Sequence, residues 1–281
     1  MFENIEEINK KYGIEIKTDD EKKILSIFNS LEIREEDYDL NDYKILSKIG
    51  LYYLYVKKDN EKAKKYYLMA IEKGYDGALN NLGNLYYNQE KDNENAKKYY
   101  LMAIEKGNDL AMYNFAEIYF EEKDYKNAKK YWLMAIEKGN DYAMNNLGHL
   151  YHVTEKDYEN AKKYYLMAIE KGNENAMNDL GYLCCNVEKD YENAKKYYLM
   201  AIEKGNVCAM NNLGYLYHVI EKDYKNAKKY WLMAIEKGDK TAMNNLESIM
   251  NDLELYVCLN EITDKNELIE NRIKRLRDKC V

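Results

Sequence analysis

Proline is absent from all 281 residues, so nothing in the chain imposes the fixed φ and missing N–H that break helices. Arginine is nearly absent too: Arg34, Arg272, Arg275 and Arg277 all lie outside the repetitive part of the chain. With a net charge of −7, this excludes a general nucleic-acid binder, which needs clustered basic residues on the phosphates. The five cysteines are odd in number and irregularly spaced, which points to reduced thiols and not to a disulfide framework. No run of about 18 apolar residues is present to span a bilayer. The acidic start MFENIEEINKK has no apolar core and does not read as a secretory signal. No interval is rich in Gly, Ser or Pro, so no flexible linker stands out. The expectation is a soluble intracellular protein, placed in the cytoplasm.

What fills the chain instead is repetition, which should be sought before any other feature. AKKYYLMAIEKG, or its Trp variant, starts at Ala63, Ala96, Ala128, Ala161, Ala194 and Ala227, at steps of 33, 32, 33, 33 and 33 residues. A second string precedes each copy. It reads SKIGLYYL from Ser47, NNLGNLYY from Asn80, YNFAEIYF from Tyr113, NNLGHLYH from Asn145, NDLGYLCC from Asn178 and NNLGYLYH from Asn211.

Each unit reads as two helices. In the second, Ala161, Tyr165, Ala168 and Ile169 fall on one helical stripe. Asp157 stands where it can cap the first turn, and Gly172 fits the left-handed position that ends the helix. Asn173 can then cap the next helix, whose buried side would carry Ala176, Leu180, Gly181 and Leu183. A helix-interior glycine costs about 1 kcal/mol against Ala, yet one recurs as Gly50, Gly83, Gly148, Gly181 and Gly214, with Ala116 in repeat three. Its recurrence implies a neighbouring helix passing too close for a side chain. One helix pair cannot bury its apolar face alone, so the pairs must stack. Closure falls to Ile24, Leu25, Phe28 and Leu31 at one end. At the other are TAMNNLESIMNDL and a last helix with Leu268, Ile269, Ile273 and Leu276, for which Asp264 and Glu267 have capping-box spacing.

From about residue 42 to 250 these strings resemble the tetratricopeptide and Sel1-like repeat superfamily. NLGNLYY followed by DYENAKKYYLMAIE is similar to the tetratricopeptide pattern. The junction AIEKGNENAMNDLG, with Gly where that pattern has Pro, is closer to Sel1. Gly148 to Ala161 is 13 residues, and Ala116 to Ala128 is 12, the tetratricopeptide spacing. The resemblance implies an all-α, right-handed α–α superhelix of about six repeats with helical caps. Residues 1–41 would form the N-terminal cap, 42–238 the six repeats, and 239–281 a partial repeat with a capping helix. It also implies a scaffold or adaptor for protein–protein contact, without naming the partner.

Chemistry is sparse. His149 and His152 could share a helix face and a metal, but His152, Cys185 and His218 occupy the same place in consecutive repeats. Helices pack about 8–10 Å apart, too far for ligand bonds of about 2 Å, so no metal is expected. Cys184, standing where Tyr151 and Tyr217 recur, reads as core, and Cys185 as the more exposed of the pair. No Gly-rich phosphate loop, nucleophile–base pair or cofactor motif is evident, so no enzyme is expected. The Glu-Lys-Asp turns read as solvated caps, and Glu94–Lys98, Glu159–Lys163 and Glu192–Lys196 as i,i+4 pairs. Arg272, Lys274, Arg275, Arg277 and Lys279 read as a helix-end surface.

In related repeats the first helix lines the concave surface. By that analogy, positions three before, one after and four after the recurring Gly face a groove. They include Asn80, Asn84, Tyr87, Asn145, His149, His152, Asn178, Tyr182, Asn211, Tyr215 and His218. Tyr113, Glu117 and Phe120 take these places in repeat three, and Ser47, Leu51 and Leu54 in repeat one. An Asn amide can donate to and accept from a peptide backbone, and Tyr gives rigid contact area with a polar tip. These positions contain no Lys or Arg, unlike a basic clamp for a carboxylate. The partner expected is a protein or peptide, not nucleic acid, membrane or a small molecule. A self-associating Tyr-rich array is the alternative, with an enzyme-linked module as the least favoured.

Overall fold

The computed structural model describes residues 5–12, 21–30, 33–262 and 265–280. Among these there are seventeen α-helices and no strand. They fall into two compact units, Met1–Asn140 and Asp141–Val281, which divide the chain between repeats three and four.

The first unit holds α1 (Ile5–Tyr12), α2 (Glu21–Asn29) and three helix pairs: α3 (Tyr43–Tyr52) with α4 (Asn60–Glu72), α5 (Gly77–Leu85) with α6 (Asn93–Glu105), and α7 (Asp109–Glu121) with α8 (Tyr125–Glu137). The second holds α9 (Asp141–His149) with α10 (Tyr158–Glu170), α11 (Glu174–Leu183) with α12 (Tyr191–Glu203), and α13 (Val207–Leu216) with α14 (Tyr224–Glu236). It closes with α15 (Lys240–Glu247), α16 (Asp252–Asn260) and α17 (Glu267–Cys280). Each unit is a stack of helix pairs, the architecture of an all-α superhelix.

The second helix of every pair begins and ends as its residues dictate. Asp157 accepts from Asn160 N (3.1 Å) and from Asn160 Nδ2 (2.7 Å), and the same Asp–Asn clasp recurs at Asp92, Asp124, Asp190 and Asp223. These Asn bonds hold the carboxyls of Asp92, Asp124, Asp190 and Asp223 below their ordinary range. Gly172 takes φ +89°, and Asn173 N reaches back to Ala168 O (3.1 Å), closing the helix. Asn173 then caps α11 through Ala176 N (2.9 Å). Ala161, Tyr165 and Ala168 are fully buried, as are Ala176, Leu180 and Leu183.

The first helix of five repeats carries a feature that the repeat strings do not announce. α3, α5, α9, α11 and α13 each run into a π-type turn, at Tyr53–Lys57, Tyr86–Glu90, Leu150–Glu155, Cys184–Glu188 and Tyr217–Glu221. Repeat three has none, and α7 stays α-helical to Glu121. The cause is one residue: Asp157 N closes onto Tyr151 O, six back, whereas Asp124 N closes onto Tyr119 O, five back. The π turn absorbs the extra residue of the 13-residue spacing. All six turns then end on a left-handed lysine, Lys58, Lys91, Lys123, Lys156, Lys189 or Lys222 at φ +55 to +62°.

The recurring glycine does mark a close approach, made by an aromatic ring of the second helix and not by helix backbone first. A Cβ on Gly148 would lie 2.7 Å from Tyr165 Cδ1 and 3.3 Å from Ala161 O. Gly50, Gly83, Gly181 and Gly214 meet Tyr67, Tyr100, Tyr198 and Trp231 in the same way. A second aromatic pair stacks five of the six repeats: Tyr53 on Tyr66, Tyr86 on Tyr99, Tyr119 on Tyr131, Tyr151 on Tyr164 and Tyr217 on Tyr230, with rings within 4° of parallel. Repeat five lacks this stack because Cys184 replaces the tyrosine.

Ile8, Ile24, Ile27 and Phe28 close the first unit, and Leu25 is half-buried; Leu31 lies outside the described residues. Ile269, Ile273 and Leu276 close the second. The cap of α17 is Asn266, which accepts from Ile269 N (3.0 Å); Asp264 lies outside the described residues. Lys274, Arg275 and Arg277 are exposed on that helix, and the Lys279 side chain lies outside the described residues. Lys98, Lys163 and Lys196 do not pair with Glu94, Glu159 and Glu192; they lie over the rings of Tyr99, Tyr164 and Tyr197 at 5.2–5.6 Å. The ion pairs that do form include Lys64–Glu90, Lys97–Glu122, Lys162–Glu188 and Lys195–Glu221, each joining one repeat to the next.

Candidate binding surface on the first helices

The asparagines expected to read a partner are engaged with one another. In the first unit Asn81 Nδ2 donates to Ser47 Oγ (3.2 Å), and Asn114 Nδ2 donates to Asn80 Oδ1 and to Asn84 Oδ1 (3.0 Å each). In the second unit Asn145 Nδ2 donates to Asp179 Oδ2 (3.3 Å), Asn212 Nδ2 to Asn178 Oδ1 (3.0 Å) and Asn245 Nδ2 to Asn211 Oδ1 (2.9 Å). These rungs join consecutive repeats and, apart from Asn114 to Asn84, link residues 34 apart. Asn80 and Asn145 are buried, and Asn178 and Asn211 half-buried, so the expectation of exposed amides is corrected. The reason is geometric. A residue three before the glycine shares its helix face, and that face packs on the next repeat.

The position four after the glycine packs down onto the second helix. His152 lies among Tyr158, Tyr165 and Tyr182, with ring centroids 5.9–6.2 Å away, and its Nδ1 is 3.3 Å from Tyr165 Oη. His218 contacts Tyr224 (5.4 Å) and Trp231 (5.5 Å). Phe120 does the same with Tyr125 and Trp132. Cys185, expected to be the open member of its pair, is buried like Cys184 because it fills this slot. Burial pushes the Cys184 thiol up to about 12 and raises Cys185, which leaves both poor nucleophiles. Tyr87 is half-buried and hydrogen-bonded to Glu121; burial and that acceptor raise its phenol.

The position one after the glycine is the open one. His149, Tyr182 (47% exposed) and Tyr215 (51% exposed) stand there in successive repeats of the second unit. In the first unit the same place holds half-buried Asn84, which accepts from Tyr100 Oη (2.6 Å), and Glu117, which accepts from Trp132 Nε1 (3.0 Å).

One concavity belongs to this face. A cavity of about 250 Å³ is lined by His149, His152, Val153, Tyr165, Asp179 and Tyr182. Asp179 is the residue that the groove positions missed. Its signal was NDLG where NNLG recurs at Asn145 and Asn211. Burial raises its carboxyl above the ordinary range, against Asn145 and Asn178, which donate to it and pull the other way. His152 is lowered by burial and by His149. Among the described residues no group of three His, Cys, Asp or Glu side chains could hold a metal ion, and no helix is long and apolar enough to cross a membrane.

The helix pairs and their inter-repeat rungs meet two family models between them. The Sel1 repeat model matches residues 48–75, 77–108, 175–206 and 209–239, and the tetratricopeptide repeat model matches 110–137 and 142–170. The chain belongs to the Sel1-like and tetratricopeptide repeat superfamily. Members of this superfamily are generally protein–protein interaction modules and generally non-catalytic. The tetratricopeptide match to repeat three agrees with its shorter spacing and missing π turn, although repeat four, matched by the same model, keeps its π turn. The chain is 26% identical to a Sel1 repeat protein from Oxalobacter formigenes, over 76% of this chain and 93% of that one, with a TM-score of 0.59. Pseudomonas aeruginosa pilF (21% identity, 74% and 97% covered, TM-score 0.58) shares the fold. So does the Cut9–Hcn1 hetero-tetramer of the APC/C (16% identity, 82% and 46% covered, TM-score 0.59). No curated protein matches the chain.

Proposed function

We propose that this protein is a non-enzymatic scaffold that holds a peptide or helix of a protein partner on the face formed by its first helices. The observation that carries this reading is the contrast within one helix register. Packing positions are buried and nearly invariant, while the place one after the glycine varies along the chain, from Asn84 and Glu117 to His149, Tyr182 and Tyr215, and the last three stand open. Exposed Tyr offers large rigid contact area at low entropic cost. The absence of Lys and Arg from the expected groove positions disfavours nucleic acid as the ligand. Free Cys184, Cys185, Cys208 and Cys258 suit a reducing, cytoplasmic setting.

Affinity capture from source cells tests the reading. Tyr182→Ala with Tyr215→Ala should lose the partner while keeping wild-type helicity, because both side chains are about half exposed. Lys163→Ala with Lys196→Ala on the second helices should retain it. Loss in the lysine variant and retention in the tyrosine variant would move the binding surface to the second helices. Asn145, Asn178 and Asn211 make poor probes, since their substitution also removes inter-repeat bonds.

A further inference from the structure

Asp179 is unlike every other rung. Asn81, Asn114, Asn146, Asn212 and Asn245 occupy the equivalent places. A carboxylate can only accept, so Asn145 turns its Nδ2 toward Asp179, whereas Asn80, Asn178 and Asn211 accept from the repeat that follows. The reversal leaves Asn145 Oδ1 buried without a donor. Asn178 Nδ2 supplies a second bond to Asp179 (3.2 Å), but a carboxylate has sites for about four. No lysine or arginine forms an ion pair with Asp179 among the described residues; the chargeable groups acting on it are His149 and His152. His152 is held below its ordinary range, which keeps the imidazole neutral at neutral pH and removes it as a counter-charge. A charge withdrawn from water without an opposite charge beside it is costly, so this rung is worse for stability than the Asn it replaces.

The same carboxylate lines the cavity of about 250 Å³ whose walls are the rings of His149, His152, Tyr165 and Tyr182. A single negative charge among aromatic faces suits an N–H-rich cation, which gains both the carboxylate and the ring quadrupoles. An anion would be repelled, and an apolar guest would strip the remaining water from Asp179.

We propose that this cavity is a subsite for a lysine or arginine side chain of the protein partner, its charged head against Asp179 and its stem along His152 and Tyr182. The subsite rests on the scaffold reading and adds a basic residue to the partner. Acid opposes it, because burial holds the Asp179 carboxyl above its ordinary range and its protonation removes the attraction. The other titratable groups that feel the charge of Asp179 are Tyr165, Tyr198 and Cys208, and burial raises all three, so they stay neutral as pH falls.

The full-length protein would be titrated with N-acetyl-lysine-N-methylamide, N-acetyl-arginine-N-methylamide and the isosteric norleucine compound. The reported signal is the pair of ring C–H resonances of His149 and His152. One or both basic probes should shift them saturably, norleucine should not, and binding should weaken as acid protonates Asp179. Asp179→Asn restores the residue found in the other rungs, so it should keep the fold and weaken the basic probes at least tenfold. Equal shifts from norleucine, or undiminished binding by Asp179→Asn, would overturn the subsite. Partner capture separates the two readings. A partner held equally by wild type and Asp179→Asn overturns the subsite and leaves the scaffold standing. Probe binding that needs Asp179, with no partner captured by the wild type, overturns the scaffold and with it the assignment of the cation to a partner chain.

Discussion

Repeat three and repeat four use nearly the same second helix yet seat it differently. In repeat four, Gly148 and Tyr165 are 17 residues apart and a π turn lies between their helices. In repeat three, Ala116 and Trp132 are 16 apart, the π turn is missing, and the first helix tolerates a methyl group. Glycine, aromatic register and π turn therefore change together. The helix interior gives up a side chain where an added residue swings the ring over it, and regains one where that residue is absent.

The sharpest way to break this comparison is Gly148→Leu. The added side chain meets Tyr165 and the Ala161 carbonyl, and should cost about 3 kcal/mol, read as a lowered urea midpoint. Gly148→Ala should cost about 1 kcal/mol, because even one carbon lies inside contact distance of the ring. Removing Thr154 from the π turn should then make Gly148→Ala cheaper, with a coupling of about 0.5–1 kcal/mol. Strict additivity would separate glycine from π turn.

The polar rungs allow a milder test across the two units. Asn114→Asp should destabilise the first unit, and Asp179→Asn should stabilise the second, each by about 1–2 kcal/mol at neutral pH. Because the folded-state pKa of Asp179 is raised, the native protein binds its proton more readily than the unfolded chain. The wild-type deficit should therefore shrink as pH falls through that folded value toward the ordinary 3.8. A gap that widens in acid would contradict the burial of this carboxylate. The smallest effect is expected at Lys156, where φ is +55°. Lys156→Gly should gain about 0.5 kcal/mol by relieving the left-handed strain, and Lys156→Ala should gain nothing.

Much of this was legible in the chain. The stripe Ala161, Tyr165, Ala168, the Asp157 cap and the Gly172 terminus follow from local rules, and each holds. The 12- against 13-residue spacing already contained the π turn, but spacing alone cannot say whether a loop or a helix takes up the extra residue. The asparagines were misplaced for a different reason. Their amide chemistry suits a ligand as well as a neighbouring repeat, and only their i,i+3 relation to a buried glycine favoured the neighbour. Asp179 sat one residue from the expected positions, visible only as a break in NNLG. The ring cluster around His152 depends on two helix pairs meeting, which no single repeat string records.

The rungs and the pairs Lys162–Glu188 and Lys195–Glu221 share one property: each ties one repeat to the next, and the rungs do so between like positions. Every unit therefore carries a half-bond facing each way. A tandem copy inserted in frame would meet its new neighbours with both halves in place, so the chain can grow or shrink by whole units without redesign of any contact. The exception is the junction at Asp179, whose mate is an asparagine turned the other way. A copied repeat four would face a copied repeat five only if the two were inherited together, which makes that pair, and not the single repeat, the smallest heritable block bearing the proposed subsite.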